Sequence, residues 1–153
     1  MILTTCYLQL ATHPTSTMSK YSITSKTETV NKPDTEVYGF LTDFHNFHDL
    51  WPADKIANWE CTENSCSFSV IGIISVQLHI ENKIPCSLVS YKSSPGSKYP
   101  FNFTIEIIRI DENSCNCRIT MDYEMNVVLN GMAEKSLVSL VNKMGEKLKE
   151  IFQ

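Results

Sequence analysis

The sequence predicts an α+β domain in which a curved antiparallel sheet lies under one long amphipathic helix, and three observations carry that prediction. A single strand-like segment precedes a short helical pair, period-two alternation then runs from Lys55 to Asn126, and a 3.6-residue stripe closes the chain. A helix that follows an antiparallel sheet must cover one of its faces. The space between the two layers is then the natural place for an apolar core or an apolar ligand.

Tyr21 to Val30 alternates modestly and is rich in Ser, Thr and Val, so it reads as one strand with a wet face. A helix starts near Pro33, whose fixed φ and missing N–H suit a first turn. Asp34 and Glu36 favour the positive end of its dipole, and Val37, Phe40, Leu41 and Phe44 recur at helical spacing. Asp43 caps a second short helix that Pro52 stops. Strands follow over 55–62, 66–71, 73–84, 87–93, 101–111 and 115–126, which gives a sheet of about six to seven strands in all. Their connections are short enough to require antiparallel hairpins, with a tight turn or bulge at Gly72.

Alternation sorts the two faces. Ile74, Val76, Leu78 and Ile80 oppose Ser75, Gln77, His79 and Glu81, while Ile119, Met121, Tyr123 and Met125 oppose Arg118, Thr120, Asp122 and Glu124. Phe68, Val70, Phe103, Ile105 and Ile107 continue the dry face. From Val128 to Phe152 a stripe of Leu129, Ala133, Leu137, Leu140, Val141, Met144, Leu148, Ile151 and Phe152 faces inward, with Lys and Glu on the other side.

Residues 1–19 read as a disordered tail or an over-extended start, and 20–153 as the domain. A net charge of −4, with Arg109 and Arg118 as the only arginines, gives no basic stripe for nucleic acid. No apolar run approaches the roughly 20 residues that cross a bilayer, so the expectation is a soluble, cytoplasmic protein. The six cysteines form no C-x-x-C pair and no zinc spacing. Cys61 and Cys66 flank a turn and could face each other across a hairpin, but free thiols are expected in a reducing compartment.

The order of elements over residues 20–152, with the opening N-K-P-D-T-E-V-Y-G-F-L-T-D-F, is similar to the START and Bet v 1 (SRPBCC) superfamily and resembles its polyketide cyclase-related members. The resemblance implies a helix-grip fold and a cavity between sheet and terminal helix that holds lipids, sterols, polyketides or other apolar molecules. Some relatives are enzymes and others only bind or carry, so the resemblance implies no particular activity.

The candidate wall of that cavity is Phe68, Val70, Leu78, Phe103, Ile105, Ile107, Met121, Tyr123, Ala133, Leu137 and Leu140, with Arg109 at its mouth or in solvent. Tyr123 is the polar head on an otherwise apolar face, and a buried phenol needs a partner, whether protein or ligand. His45 and His48 lie three apart near Asp43 and Asp49 but lack a third ligand, so neither metal nor cofactor is expected. No nucleophile with an adjacent base and no glycine-rich phosphate loop occurs. An empty pocket of about 300 Å³ would cost up to roughly 7 kcal/mol, so it persists only if a ligand or a role offsets it.

The first expectation is therefore binding, transport or sequestration of a small apolar molecule or lipid. A cyclase or hydrolase using Tyr123 and Arg109 is the second. A co-chaperone-like interaction module, exposing Phe44, Phe47, Leu50 and Trp51, is the third.

Overall fold

The computed structural model describes residues 18–70 and 74–153. Its elements are β1 (Met18–Thr24), β2 (Glu28–Val30), α1 (Asp34–Leu41), α2 (Phe44–Phe47), a 3₁₀ turn (His48–Leu50), β3 (Ile56–Cys61), β4 (Ser65–Val70), β5 (Ile74–Ile84), β6 (Leu88–Ser93), β7 (Phe101–Asp111), β8 (Ser114–Asn126) and α3 (Val127–Ile151). One antiparallel sheet runs in the order β1-β8-β7-β6-β5-β4-β3, with β2 also on β8, and α3 crosses its inner face. The expected tail and the expected turn at Gly72 lie outside the described residues.

The sheet has eight strands instead of six to seven because the first segment divides. Ile23 and Ser25 are buried on odd positions, then Val30 on an even one, so the alternation slips phase between them. Ser25 manages the break. Its N–H donates to the Ile119 carbonyl at 2.8 Å, and its Oγ accepts from the Ile119 N–H at 2.9 Å. The chain then rejoins β8 at Glu28, opposite Cys117. Three further irregularities bend the sheet, at Asn58 with φ of 58°, between Ile80 and Asn82, and between Arg109 and Asp111.

α3 is 25 residues long, and its start is fixed by Asn126, whose side chain accepts from the Leu129 N–H at 2.8 Å. Its C-terminal half is well sealed, with Val141, Met144, Gly145 and Leu148 buried. That half crosses the β1–β2 break, where Asn142 Oδ1 accepts from the Lys26 N–H at 2.9 Å. The N-terminal half is loose. Val127, Val128 and Met132 are 64%, 61% and 78% exposed, and Leu129, Ala133, Leu137 and Leu140 are half-buried.

The core under the grip is aromatic. Phe47 stacks on Tyr91 at 4.4 Å, Trp51 packs on Phe68 at 4.7 Å, and Trp59 stacks on Phe68 at 4.9 Å. Tyr91, which is fully buried, donates its hydroxyl to the Leu41 carbonyl at the end of α1. Burial, and then the neighbouring Cys66, push its phenol well above its ordinary pKa, so it remains a donor. Phe44, Phe47, Leu50 and Trp51 all belong to this core. They form no solvent-facing cluster of the kind that the interaction-module expectation required.

Candidate functional site

The register of the sheet puts the β6–β7 and β8–α3 connections at one end and the β3–β4, β5–β6 and β7–β8 hairpins at the other. The first of these ends is where the protein is open. There Tyr21, Tyr123 and Phe101 align across three strands, with Tyr21 and Phe101 each in register with Tyr123. Tyr21 stacks on Tyr123 with ring centres 5.4 Å apart and planes 25° apart, and Phe101 meets Phe103 edge-on at 5.4 Å.

The polar atom of this row is held from the helix. The Tyr123 hydroxyl donates to Asn130 Oδ1 at 2.5 Å, and Asn130, in the first turns of α3, is only 7% exposed. Burial first, then the charge of Glu134, then Tyr21, raise the Tyr123 phenol above its ordinary pKa. Tyr123 is thus a protonated donor at neutral pH and poorly suited to act as a base.

Two clefts meet at this end. One of about 240 Å³ lies between Ser75, Val76, Phe101 and Ser97–Tyr99 of the β6–β7 connection. The other, about 780 Å³ and open to solvent, spreads over the outer, polar face of the sheet, where Ser22, Asp122, Asn102, Lys92 and His79 form a row across the strands and Tyr21, Phe101 and Tyr123 border it. Ser97 and Phe101 belong to both, so the β6–β7 connection is the wall between them. It has its own internal order. Ser97 N–H donates to the Ser94 carbonyl at 3.2 Å across a turn in which Gly96 takes φ of 87°, and buried Ser93 accepts from the Phe101 N–H at 3.0 Å.

The structure distributes the sequence-derived wall unevenly. Phe68, Leu78, Phe103, Ile105, Ile107, Met121 and Tyr123 are buried, while Val70, Ala133, Leu137 and Leu140 are half-buried. Arg109 is exposed near the β7–β8 hairpin, at the opposite end from Tyr123, so the two do not converge. Among the described lining residues, Tyr123 is the one member of that wall that borders either cleft. Asn130 escaped the sequence reading, although it lies seven residues before Leu137 and fourteen before Met144, on the face that α3 turns inward. Tyr21 escaped it too, because its strand alternates weakly.

His45 Nδ1 lies 2.9 Å from Asp43 Oδ1 on an exposed turn, and no group of three metal-ligating side chains occurs among the described residues. Cys61 and Cys66 are cross-strand partners in the β3–β4 hairpin and are free thiols. No helix of the described residues is long and apolar enough to cross a membrane.

The chain has a helix-grip fold. It superposes on norcoclaurine synthase from Thalictrum flavum with a TM-score of 0.68 at 10% identity, over 90% of this chain and 88% of that one. A structural-genomics protein from Bacillus thuringiensis gives 0.65 at 12% identity, over 88% and 98% of the two chains. One from Deinococcus radiodurans gives 0.59 at 13%, over 86% and 95%. No family model and no curated protein matches the sequence. At these identities the likeness concerns the fold and leaves activity undefined.

Proposed function

We propose that the protein binds a small, largely apolar molecule at the open end of the grip, for transport or sequestration. The observation that carries this reading is the incompletely covered apolar surface under the N-terminal half of α3, where Tyr21, Phe101 and Met125 of the sheet are only half-buried. Aromatic and aliphatic side chains left partly uncovered, with a polar group such as the Tyr123–Asn130 pair nearby, are the usual composition of small-ligand sites. The half-buried side of α3, with Ala133, Leu137 and Leu140, extends the apolar surface available at that end. A cyclase or hydrolase draws little support, since Arg109 is remote from Tyr123 and the Tyr123 hydroxyl is already engaged by Asn130.

Native mass spectrometry of protein taken from its source cells, followed by titration with an environment-sensitive apolar dye, tests the reading. A retained small molecule, or dye binding displaced by apolar competitors, is the expected result. Apo protein together with no dye binding overturns it. The same reading puts the protein in a reducing cytoplasm, consistent with free Cys61 and Cys66. Alkylation before lysis should recover both thiols, and recovery of a Cys61–Cys66 disulfide would overturn that location.

A further inference from the structure

The β3–β4 hairpin brings together two thiols that the open end of the grip does not use. Cys61 and Cys66 are direct cross-strand partners. The Thr62 N–H donates to the Ser65 carbonyl at 2.8 Å, so 62 and 65 are a hydrogen-bonded pair of the ladder. Pair types alternate along antiparallel strands, which makes Cys61 and Cys66 a non-hydrogen-bonded pair. In such pairs the Cα atoms stand about 4.5 Å apart and the side chains come closest. That separation falls within the roughly 4.4 to 6.8 Å that a disulfide spans, so a bond between the two asks for little movement of either strand.

Access separates these thiols from the others. Cys66, opposite Leu78, is 3% exposed, while Cys61 is half-buried on β3, the last strand of the sheet. Burial pushes the thiols of Cys66, Cys115 and Cys117 up, which keeps them protonated and slow to react. Cys86 is half-buried like Cys61, but it lies in the β5–β6 turn with φ of 60° and has no cysteine opposite it. Among the described thiols, Cys61 is the one that combines solvent access with a second thiol in register.

We propose that Cys61 and Cys66 form a redox modification site, in which a peroxide converts the pair to an intramolecular disulfide and a dithiol reductant reopens it. The thiolate form of Cys61 attacks one peroxide oxygen, the O–O bond breaks, and the sulfur becomes a sulfenic acid while the other oxygen leaves as hydroxide and is protonated. Cys66 then attacks the Cys61 sulfur. The S–S bond forms, the S–O bond breaks, and the Cys66 proton leaves with the sulfenic oxygen as water. Two thiols and one hydrogen peroxide thus give one disulfide and two waters, the sulfurs losing the two electrons that the peroxide gains. In a reducing compartment the resting state is the pair of free thiols. The closed bond staples to β4 the edge strand whose Trp59 covers Phe47 and Phe68.

The test exposes the reduced full chain to one equivalent of hydrogen peroxide with dimedone present, which traps sulfenic acids that find no second thiol. Alkylation under denaturing conditions and peptide mass spectrometry then assign every cysteine, with Cys86 as the internal reference. Cys61 and Cys66 should lose their free thiols one for one, be linked to each other, and return on treatment with dithiothreitol. Dimedone should mark Cys86 about tenfold more than Cys61. In Cys66→Ser, with its fold checked by circular dichroism, the adduct at Cys61 should rise to the level of Cys86.

A dimedone adduct at Cys61 of the wild-type protein as abundant as that at Cys86 overturns the proposal. So does a bond from Cys61 or Cys66 to any other cysteine or to a second chain, or a Cys61 left unmodified. If Cys66→Ser does not fold, the linkage found in the wild-type protein decides alone.

Discussion

The two ends of α3 cover the same sheet in opposite ways. Its C-terminal half, with Val141, Met144 and Leu148, closes over the β1–β2 break, while α1, α2 and the 3₁₀ turn fill the neighbouring space with Phe44, Phe47, Leu50 and Trp51. Its N-terminal half leaves Val127, Val128 and Met132 to solvent, and beneath it the sheet presents Tyr21, Phe101 and Met125 only partly covered. A helix-grip domain with no room anywhere would be a plain core, and one hollow throughout would bear a heavy cavity cost. Here the filled region supplies stability and leaves the open region free to be a site.

The largest effect expected from this contrast is at Phe47, which touches Phe44, Trp51, Trp59 and Tyr91 in the filled region. Phe47→Ala should cost about 3 to 5 kcal/mol in urea unfolding, and a loss under about 1 would mean that this region is as loose as the other. Tyr91→Phe keeps the ring but strands the Leu41 carbonyl, so about 1 to 3 kcal/mol should disappear from the same measurement.

The third expectation concerns pH. Burial first, then Cys61, push the Cys66 thiol up to about 12. A thiol in the unfolded chain ionises near pH 8.5, so the unfolded state sheds its proton first. The contribution is therefore intact below that pH and is lost as pH rises toward 12. Thermal melts from pH 7 upward should show an alkaline fall that Cys66→Ala flattens. An identical fall in the variant would assign it to other groups.

The smallest stability effect should come from the open region. Ala133→Phe is expected to cost under about 1 kcal/mol and to abolish apolar-probe binding, because the ring enters space under the loose half of α3. A filled interface would instead be overpacked, at about 1 to 3 kcal/mol. Loss of stability without probe binding in the parent protein would erase the distinction between the two ends.

Much of this architecture was legible in the chain. The strands over 101–111 and 115–126 and the helix near 128–152 follow from hydrophobic period, since a one-residue slip would turn Phe103, Ile105 and Ile119 to water. The division of the first strand was not legible, because Ser25 carries its signal in a side-chain bond to the Ile119 backbone, a residue 94 positions away. The candidate site was readable only in part. Tyr123 stood out as a polar group on a dry face, but its partner Asn130 looks like any surface asparagine until the helix is docked.

The sequence by itself determined the order of elements, the dry face of the sheet and the stripe on α3, since period and punctuation are local properties of the chain. Only the tertiary structure decided which part of that dry face is filled and which is open. That outcome depends on where the aromatic side chains of α2 and the 3₁₀ turn come to rest against Phe68, Tyr91 and Phe103, and on how far α3 reaches across. Packing between segments distant in sequence fixes both, and no local pattern encodes it.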